Sequence, residues 1–281
     1  MSHRASSTKV MGVVNVTPDS FVGQVRTPTV EGALRRCLTL VEEGAAVIDI
    51  GGESTRPGSS SIPLDEELSR VMPVLEAVLP LLGPAVQVSI DTQKEEVARA
   101  AVAAGVHIIN DMSSSLGHVA GELGVGYVAA HMLGPPQTMQ NNPSYNDVVH
   151  EILDQVTAAG EQAKAAGAAP VWIDPGIGFG KTIEHNLTLL AQIDRFVATG
   201  LPVLVGVSRK GFLGRLHTAA DTNCALADAS RTGTEDRLEA SVAMATWSAE
   251  LGVDMVRVHD VAATVQALAG LAPARIAPDS P

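Results

Sequence analysis

Side chains of two chemical kinds follow short apolar runs along the chain. Hydrogen-bond acceptors of the first kind are supplied by Asp91, Asn110 and Asp174, whose carboxylate and amide oxygens suit a flat heterocycle with several N–H donors. Side chains of the second kind are cationic or can become so, and they suit a phosphate or pyrophosphate. These are Arg56, Lys210, Arg257 and His259. Together the two kinds predict a phosphorylated heterocyclic substrate.

A glycine-rich loop, 174–182, follows the apolar run 170–173. Its three glycines permit backbone conformations and close approaches that side chains forbid. In parallel α/β proteins ligands bind at a loop of this kind after a buried strand, so we expect a binding site here. A phosphate-binding P-loop would need glycine where Pro175 stands. A sharp turn without a ligand is the other alternative.

Eight short apolar runs alternate with helical periodicity, which predicts eight strand–helix pairs. The runs are apolar on both faces, as is typical of buried parallel strands. They lie at 10–15, 45–50, 85–90, 106–109, 126–130, 170–173, 202–207 and 253–258. The pattern predicts an α/β fold with one domain over 1–281, a (β/α)8 TIM barrel at about 10–270 with tails at 1–9 and 272–281. A doubly wound open sheet is the alternative, but its dinucleotide fingerprint is missing after the first run.

The polar residues that end these runs would lie at one rim of the barrel, where barrel enzymes have their active sites. Structural interpretations compete for some of them. Asp91 could cap the helix that follows it, and Lys210 could be solvated. We interpret His131 as a hydrogen-bonded core histidine and Glu53 as a buried structural acceptor rather than a catalytic group.

Two features interrupt the helical pattern. Pro73 lies inside the apolar periodicity of 64–79, so we expect a kink or a break there. The polar stretch 215–236 is longer than a plain connection between elements.

Composition narrows the class of protein. The net charge of −12 argues against broad nucleic-acid or anionic-membrane surfaces, although it is compatible with a local cationic pocket. No apolar run reaches the ~20 residues of a membrane span, and the segment 1–9 is polar. A metal hydrolase is disfavoured because the sequence has no His-x-His pair or histidine-rich rim. We therefore expect a cytoplasmic protein that binds small molecules.

Seven stretches, in order and spanning nearly the whole chain, resemble the dihydropteroate synthase family. They are GVVNVTPDSF (12–21), DIGGESTRPG (49–58), SIDT (89–92), IND (109–111), DPGIGFGK (174–181), GVSRK (206–210) and VRVHD (256–260). The resemblance implies a barrel enzyme of folate synthesis, usually dimeric. Such enzymes join p-aminobenzoate to 6-hydroxymethyl-7,8-dihydropterin pyrophosphate and release pyrophosphate.

The resemblance also implies a role for each matching residue. The pterin would be held by Asp91, Asn110, Asp174, Lys210 and Met132, of which Asp91, Asp174 and Lys210 would act in catalysis. The pyrophosphate would be held by Thr55, Arg56, Arg257 and His259. The aminobenzoate would lie against Pro57, Phe179 and Gly211, and Asn15 would ligate Mg²⁺.

The sequence departs from the family pattern at two places. The family has serine, aspartate and glycines after the first motif, where this chain has VGQVRTP at 22–28. The family usually has serine after the SRK motif, where this chain has Gly211. These departures favour an alternative, a paralogue that binds the pterin pyrophosphate with weak or no turnover. A pterin-dependent methyltransferase is a third interpretation, which the STRP and SRK motifs disfavour.

Overall fold

Eight parallel strands form one sheet in the computed structural model, which describes residues 8–17, 29–216 and 237–271. The strands are β1 (Lys9–Asn15), β2 (Val47–Gly51), β3 (Gln87–Asp91), β4 (Ile108–Asp111), β5 (Gly126–Ala130), β6 (Val171–Asp174), β7 (Leu204–Val205) and β8 (Met255–Val258). Their order in the sheet is β6-β5-β4-β3-β2-β1-β8-β7. A parallel bridge between Ile173 and Val203 joins the two ends of this order. The predicted (β/α)8 TIM barrel is confirmed.

Helices follow the strands and surround the barrel. They are α1 (Val30–Glu42), α2 (Leu64–Val78), α3 (Glu95–Ala104), α4 (Gly117–Leu123), α5 (Val148–Ala166), α6 (Ile183–Ala191), α7 (Ile193–Val197), α8 (211–216), α9 (Leu238–Glu250) and α10 (Val261–Gly270). The first-motif departure at 22–28 and most of the polar stretch 215–236 lie outside the described residues. No described helix combines the length and apolar character that crossing a bilayer requires.

Local sequence sets where several helices begin and end. The Thr29 side chain accepts a hydrogen bond from the Gly32 amide and caps α1, and Asp147 caps α5 in the same way. Helices α3 and α5 end at Gly105 and Gly167, which take the left-handed conformation. These signals fix the first residues of α1 and α5 and the last residues of α3 and α5.

Helix α2 continues through Pro73, so the break considered at this position is wrong. Proline removes one hydrogen bond from the helix and crowds the preceding turn. Val71, Val74 and Leu75 on both sides of it are fully buried. The burial of this apolar face offsets the lost hydrogen bond, since packing supplies most of the stability of a helix in a protein.

Apolar side chains fill two separate regions of the fold. The larger region lies between the barrel and the helices and includes Cys37, which is fully buried. The smaller region fills the interior of the barrel, with Met11, Val47, Ile108, Val128, Trp172, Leu204 and Met255. Bulky residues of this kind close the interior of a TM barrel and leave no pore.

In the barrel interior, a polar layer lies on the carboxyl-terminal side of these apolar side chains. Successive side chains of a strand point to opposite faces, so residues two apart share a face. Two positions after Val47, Ile108, Trp172 and Met255 come Asp49, Asn110, Asp174 and Arg257. The carboxyl half of the barrel interior is therefore charged and polar, although its amino half is apolar.

Candidate active site

A cavity of about 1130 Å³ opens at the carboxyl ends of the strands. Its walls contain every predicted site residue except Asn110 and Met132. The predicted residues in the walls are Asn15, Thr55, Arg56, Pro57, Asp91, Asp174, Phe179, Lys210, Gly211, Arg257 and His259. This volume slightly exceeds the usual range for a drug-sized ligand, so the cavity has room for more than one substrate.

A charged network crosses the floor of the cavity. The guanidinium of Arg257 donates from Nε to Asp49 Oδ2 at 2.6 Å and from Nη2 to Asp91 Oδ2 at 2.7 Å. The Asn110 amide donates from Nδ2 to the same Asp49 oxygen at 3.1 Å. Asn110 is almost fully buried beside Asp91, its register partner on the neighbouring strand. Arg257, which the sequence groups with the phosphate-binding residues, thus contacts a residue predicted to hold the pterin.

The pKa values of Asp91 and Arg257 depend on burial and on the attraction between their charges. Burial raises the pKa of Asp91 to about 7, and the Arg257 guanidinium opposes this shift. Burial alone would lower the pKa of Arg257, but Asp49 and Asp91 raise it above its ordinary value. The arginine therefore stays charged and favours the ionised form of Asp91.

Asp174 and Lys210 bring opposite charges to the same cavity. The Gly176 amide donates to Asp174 Oδ1 at 2.7 Å. Burial raises the pKa of Asp174, although this amide and the Lys210 ammonium oppose the shift. Burial lowers the pKa of Lys210 to about 7, against the attraction of Asp174. The Lys210 Nζ lies 3.6 Å from the centre of the Phe179 ring, a distance at which cation and ring attract.

The loop between β6 and α6 has the tight geometry predicted from its glycines. Gly176 has a φ of 65°, and a Cβ there would lie 1.8 Å from the His131 carbonyl oxygen. Gly180 also has a positive φ, and its Cβ would lie 2.5 Å from Leu133 Cβ. Only glycine fits these positions, because the loop packs directly on the backbone after β5.

Lys181 holds the same loop in place through hydrogen bonds. It is buried, and its Nζ donates to His131 Nδ1 at 2.9 Å, Gly176 O at 2.9 Å and Phe179 O at 3.0 Å. Burial lowers the pKa of His131 to about 3, and the Lys181 charge adds to this shift. His131 is therefore a neutral acceptor within the fold, in agreement with its interpretation as a core histidine. Met132, the next residue, is half-buried and lies outside the cavity walls.

The loop after β2 carries Thr55, Arg56 and Pro57 to the rim of the cavity. Thr55 is half-buried, whereas Arg56 and Pro57 are exposed. Glu53 anchors this loop, since its Oε2 accepts hydrogen bonds from the Ile62 amide at 3.0 Å and from Lys94. These contacts support the interpretation of Glu53 as a structural acceptor.

The loops after β7 and β8 meet at His259. Its backbone N–H donates to Ser208 Oγ at 3.1 Å, and its ring Nδ1 lies 3.1 Å from the same oxygen. Burial lowers the pKa of His259 to about 3, and the neighbouring charges of Arg257 and Arg209 lower it further. His259 is therefore neutral near pH 7, and it can offer a phosphate a ring N–H rather than a positive charge. Arg209 forms a bidentate ion pair with Asp260 that joins the loops after β7 and β8.

The structure adds Asp49 and Ser208 to the residues that sequence reasoning selected. Ser208 was visible as the first residue of the SRK motif. Asp49 was visible as a carboxylate inside an otherwise apolar strand, a position where an unpaired charge is costly. That position could have identified it before the structure.

Known proteins similar to this chain identify its family. The family model described as "Pterin binding enzyme" matches residues 11–259. Dihydropteroate synthase of Escherichia coli (strain K12) is 39% identical over 269 residues, which cover 94% of this chain and 90% of that protein. The structure of Xanthomonas albilineans dihydropteroate synthase with 4-aminobenzoic acid has a TM-score of 0.85 and 42% identity, covering 96% of this chain and 94% of that one.

A second structure of the Xanthomonas albilineans enzyme, in complex with 7,8-dihydropteroate, has a TM-score of 0.81 and 38% identity, covering 99% of this chain and 97% of that one. The similarity in sequence and in fold thus extends over nearly the whole chain. On these grounds the chain belongs to the dihydropteroate synthase family of pterin-binding enzymes.

Proposed function

We propose that the protein joins p-aminobenzoate to 6-hydroxymethyl-7,8-dihydropterin pyrophosphate and releases pyrophosphate. The observation that carries this proposal is one cavity lined both by acceptors, Asp91 and Asp174, and by cations, Lys210 and Arg56. A solved relative in complex with 4-aminobenzoic acid supports the amine substrate, and one in complex with 7,8-dihydropteroate supports the product.

The pterin binds at the floor of the cavity. Its N–H donors face Asp91, Asn110 and Asp174, which offer carboxylate and amide oxygens. Lys210 donates to an acceptor on the ring while Phe179 holds its ammonium in place. Of the predicted pterin contacts, Asn110 and Met132 lie outside the cavity walls, but Asn110 is the register partner of Asp91, which lines the cavity.

The other two substrate groups bind nearer the rim. The pyrophosphate lies within reach of Thr55, Arg56 and His259, which line the cavity there. Arg257 also lines the cavity, with its guanidinium paired to Asp49 and Asp91. The aminobenzoate ring lies against Pro57, Phe179 and Gly211, which also line the cavity.

The reaction exchanges one bond at the pterin methylene carbon. The carbon–oxygen bond breaks, and its electron pair leaves with the pyrophosphate. The lone pair of the aminobenzoate nitrogen forms the new carbon–nitrogen bond, and that nitrogen then releases a proton to solvent. Asp91 and Asp174 offset the positive charge that spreads into the ring as the leaving group departs.

The residues at β1 fit a magnesium ion that is held mainly by the substrate. Among the described residues, no cluster of three or more His, Cys, Asp or Glu could bind a metal alone. Mg²⁺ usually takes one or two protein oxygens together with phosphates and water. The amide oxygen of Asn15, which lines the cavity, would supply one of them. When bound, the ion would neutralise negative charge on the pyrophosphate.

A pyrophosphate-release assay, with and without p-aminobenzoate, tests this function. Release that requires the amine supports the synthase. Binding of the pterin pyrophosphate without release would instead indicate the paralogue without turnover. Methyl transfer to an acceptor would indicate the methyltransferase.

We also propose a homodimer. Leu187 of α6 and Trp247 of α9 are large exposed apolar side chains. The Trp247 indole donates to the Leu190 carbonyl at 3.3 Å, which places the two helices side by side. An apolar surface of this kind is common where subunits meet. Light scattering after size-exclusion chromatography tests the dimer.

We also propose that the protein is cytoplasmic, as the sequence predicts, and cell fractionation tests this location.

A further inference from the structure

Asp49 is a buried carboxylate that the proposed reaction leaves without a role. It lies in the middle of β2 and is fully buried. Its Oδ2 accepts from both Asn110 and Arg257, while its Oδ1 has no hydrogen-bond partner in the part of the chain that the structure describes. A buried carboxylate is costly unless it is well compensated. Its presence therefore needs a functional explanation.

The hydrogen bond from Asn110 decides which way its amide faces. An amide carries a donor at one end and an acceptor at the other. Because Nδ2 donates to Asp49, Oδ1 is the end of the amide that remains for a ligand. The reversed amide would set its oxygen against the Asp49 carboxylate, which leaves two buried acceptors without a proton between them.

This orientation matches the acceptors on the neighbouring strand. Asn110 and Asp91 are register partners, so their side chains lie next to each other on the interior face. With its oxygen presented, Asn110 extends the row of acceptors that an N–H-rich ring edge needs. With its amide reversed, it would set a donor against a donor.

We propose that Asp49 is a positioning residue for pterin recognition, which holds the Asn110 amide with its oxygen toward the ring. Asp49 does not contact the ligand; it acts through Asn110. The inference rests on the proposed pterin site and deepens it.

Calorimetry with 6-hydroxymethyl-7,8-dihydropterin tests the inference in a double-mutant cycle. Asp49→Asn should weaken pterin binding by about tenfold or more, the effect of one hydrogen bond to a charged group. In the Asn110→Ala background the same change should cost less than about threefold, because the amide that Asp49 orients is gone. Equal losses in both backgrounds, or no loss in either, would overturn the proposal.

Asp111→Asn is the matched control. Asp111 is equally buried at the end of β4, but its oxygens accept from Leu116 and Tyr127 and it does not line the cavity. This variant should lose thermal stability and keep its pterin affinity. Asp49→Asn should also raise the KM for the pterin pyrophosphate and leave the KM for p-aminobenzoate unchanged. Equal loss of pterin affinity in both variants would show a general packing effect and overturn the proposal.

If the Asp49→Asn variant does not fold, a pair of substitutions that reverses the direction of the hydrogen bond between positions 49 and 110 still tests the proposal. Asn110→Asp alone sets two carboxylates together and should weaken pterin binding about tenfold or more. Adding Asp49→Asn restores a donor–acceptor pair with its direction reversed, and affinity should return to within about threefold of the unmodified protein. A double variant that binds as weakly as Asn110→Ala would contradict the proposal. Failure of the unmodified protein to bind the pterin would count against the proposed function instead.

Discussion

At the scale of single residues, burial shifts the pKa values of Asp174 and Lys210 in opposite directions. Burial raises the pKa of the acid and lowers the pKa of the base, so each is moved toward its neutral form. A pterin that donates to Asp174 and accepts from Lys210 reverses both effects, since it favours the two charged forms. Pterin binding should therefore depend on each charge separately.

Asp174→Asn should weaken binding of the dihydropterin by at least ~1.5 kcal/mol, because a neutral amide forms a weaker hydrogen bond with the ring N–H groups. Calorimetry measures the change. Asp254→Asn is the control, since Asp254 likewise accepts a backbone N–H, from Val203 at 2.9 Å, and does not line the cavity. Unchanged pterin affinity in Asp174→Asn would remove Asp174 from the site.

The lowered pKa of Lys210 predicts that pterin affinity depends on pH. Below its pKa of about 7 the ammonium is charged and donates strongly, and above that pH the neutral amine donates weakly. The advantage in affinity of the unmodified protein over Lys210→Met should therefore be greatest near pH 6 and should shrink, by up to about tenfold per pH unit, above pH 7. Titrations of both proteins from pH 6 to 9 measure this difference. An advantage that grows with pH would contradict the assignment.

Gly211→Ser should tighten the aminobenzoate site. A Cβ at Gly211 would meet nothing within 4 Å, so the serine fits without strain. Its hydroxyl can donate to the aminobenzoate carboxylate, which should lower the KM for p-aminobenzoate roughly tenfold. Steady-state kinetics at saturating pterin pyrophosphate measure the change. A KM that stays the same would show that the carboxylate lies elsewhere.

Among the elements, the loop between β6 and α6 depends most on its glycines. It connects Asp174 to Phe179 and places both at the cavity while Lys181 holds its carbonyls. Its close approach to the His131 backbone leaves no room for a side chain at Gly176. Replacing Gly176 should therefore displace the whole loop.

Gly176→Ala and Gly124→Ala separate this clash from backbone strain. Both glycines have a φ of 65°, but a Cβ at Gly124 would meet nothing within 4 Å. Gly124→Ala should lower the free energy of unfolding by ~1–2 kcal/mol, the cost of the left-handed conformation. Gly176→Ala should cost at least ~2 kcal/mol more, because overpacking adds to the strain. Urea denaturation measures both, and equal losses would show that the loop moves aside easily.

Element positions were predictable where local signals agree. The predicted run 126–130 coincides with β5, and Asp91 and Asp174 lie at the strand ends as expected. The continuation of α2 through Pro73 was not predictable, because the buried face that supports it depends on residues distant in sequence. The floor network was missed for the same reason, since a strand pattern does not show which side chains meet across the barrel.

At the scale of the whole molecule, closure of the barrel brings the two ends of the chain together. Arg257 and Asp49 are 208 residues apart and form an ion pair in the interior. β1 pairs with both β2 and β8, so the first and last motifs of the sequence share one rim. The family resemblance was enough to predict this arrangement, whereas the hydrogen bonds that orient Asn110 and Arg257 required the structure.

The most direct test of the account is the stoichiometry of one reaction. The protein is incubated with 6-hydroxymethyl-7,8-dihydropterin pyrophosphate and p-aminobenzoate, and both products are quantified by mass spectrometry and a pyrophosphate assay. The account predicts one dihydropteroate for each pyrophosphate released, with neither product formed when p-aminobenzoate is left out and with less of both when Asp174→Asn replaces the unmodified protein at the same concentration. Tight binding of the pterin pyrophosphate with no dihydropteroate formed would contradict it.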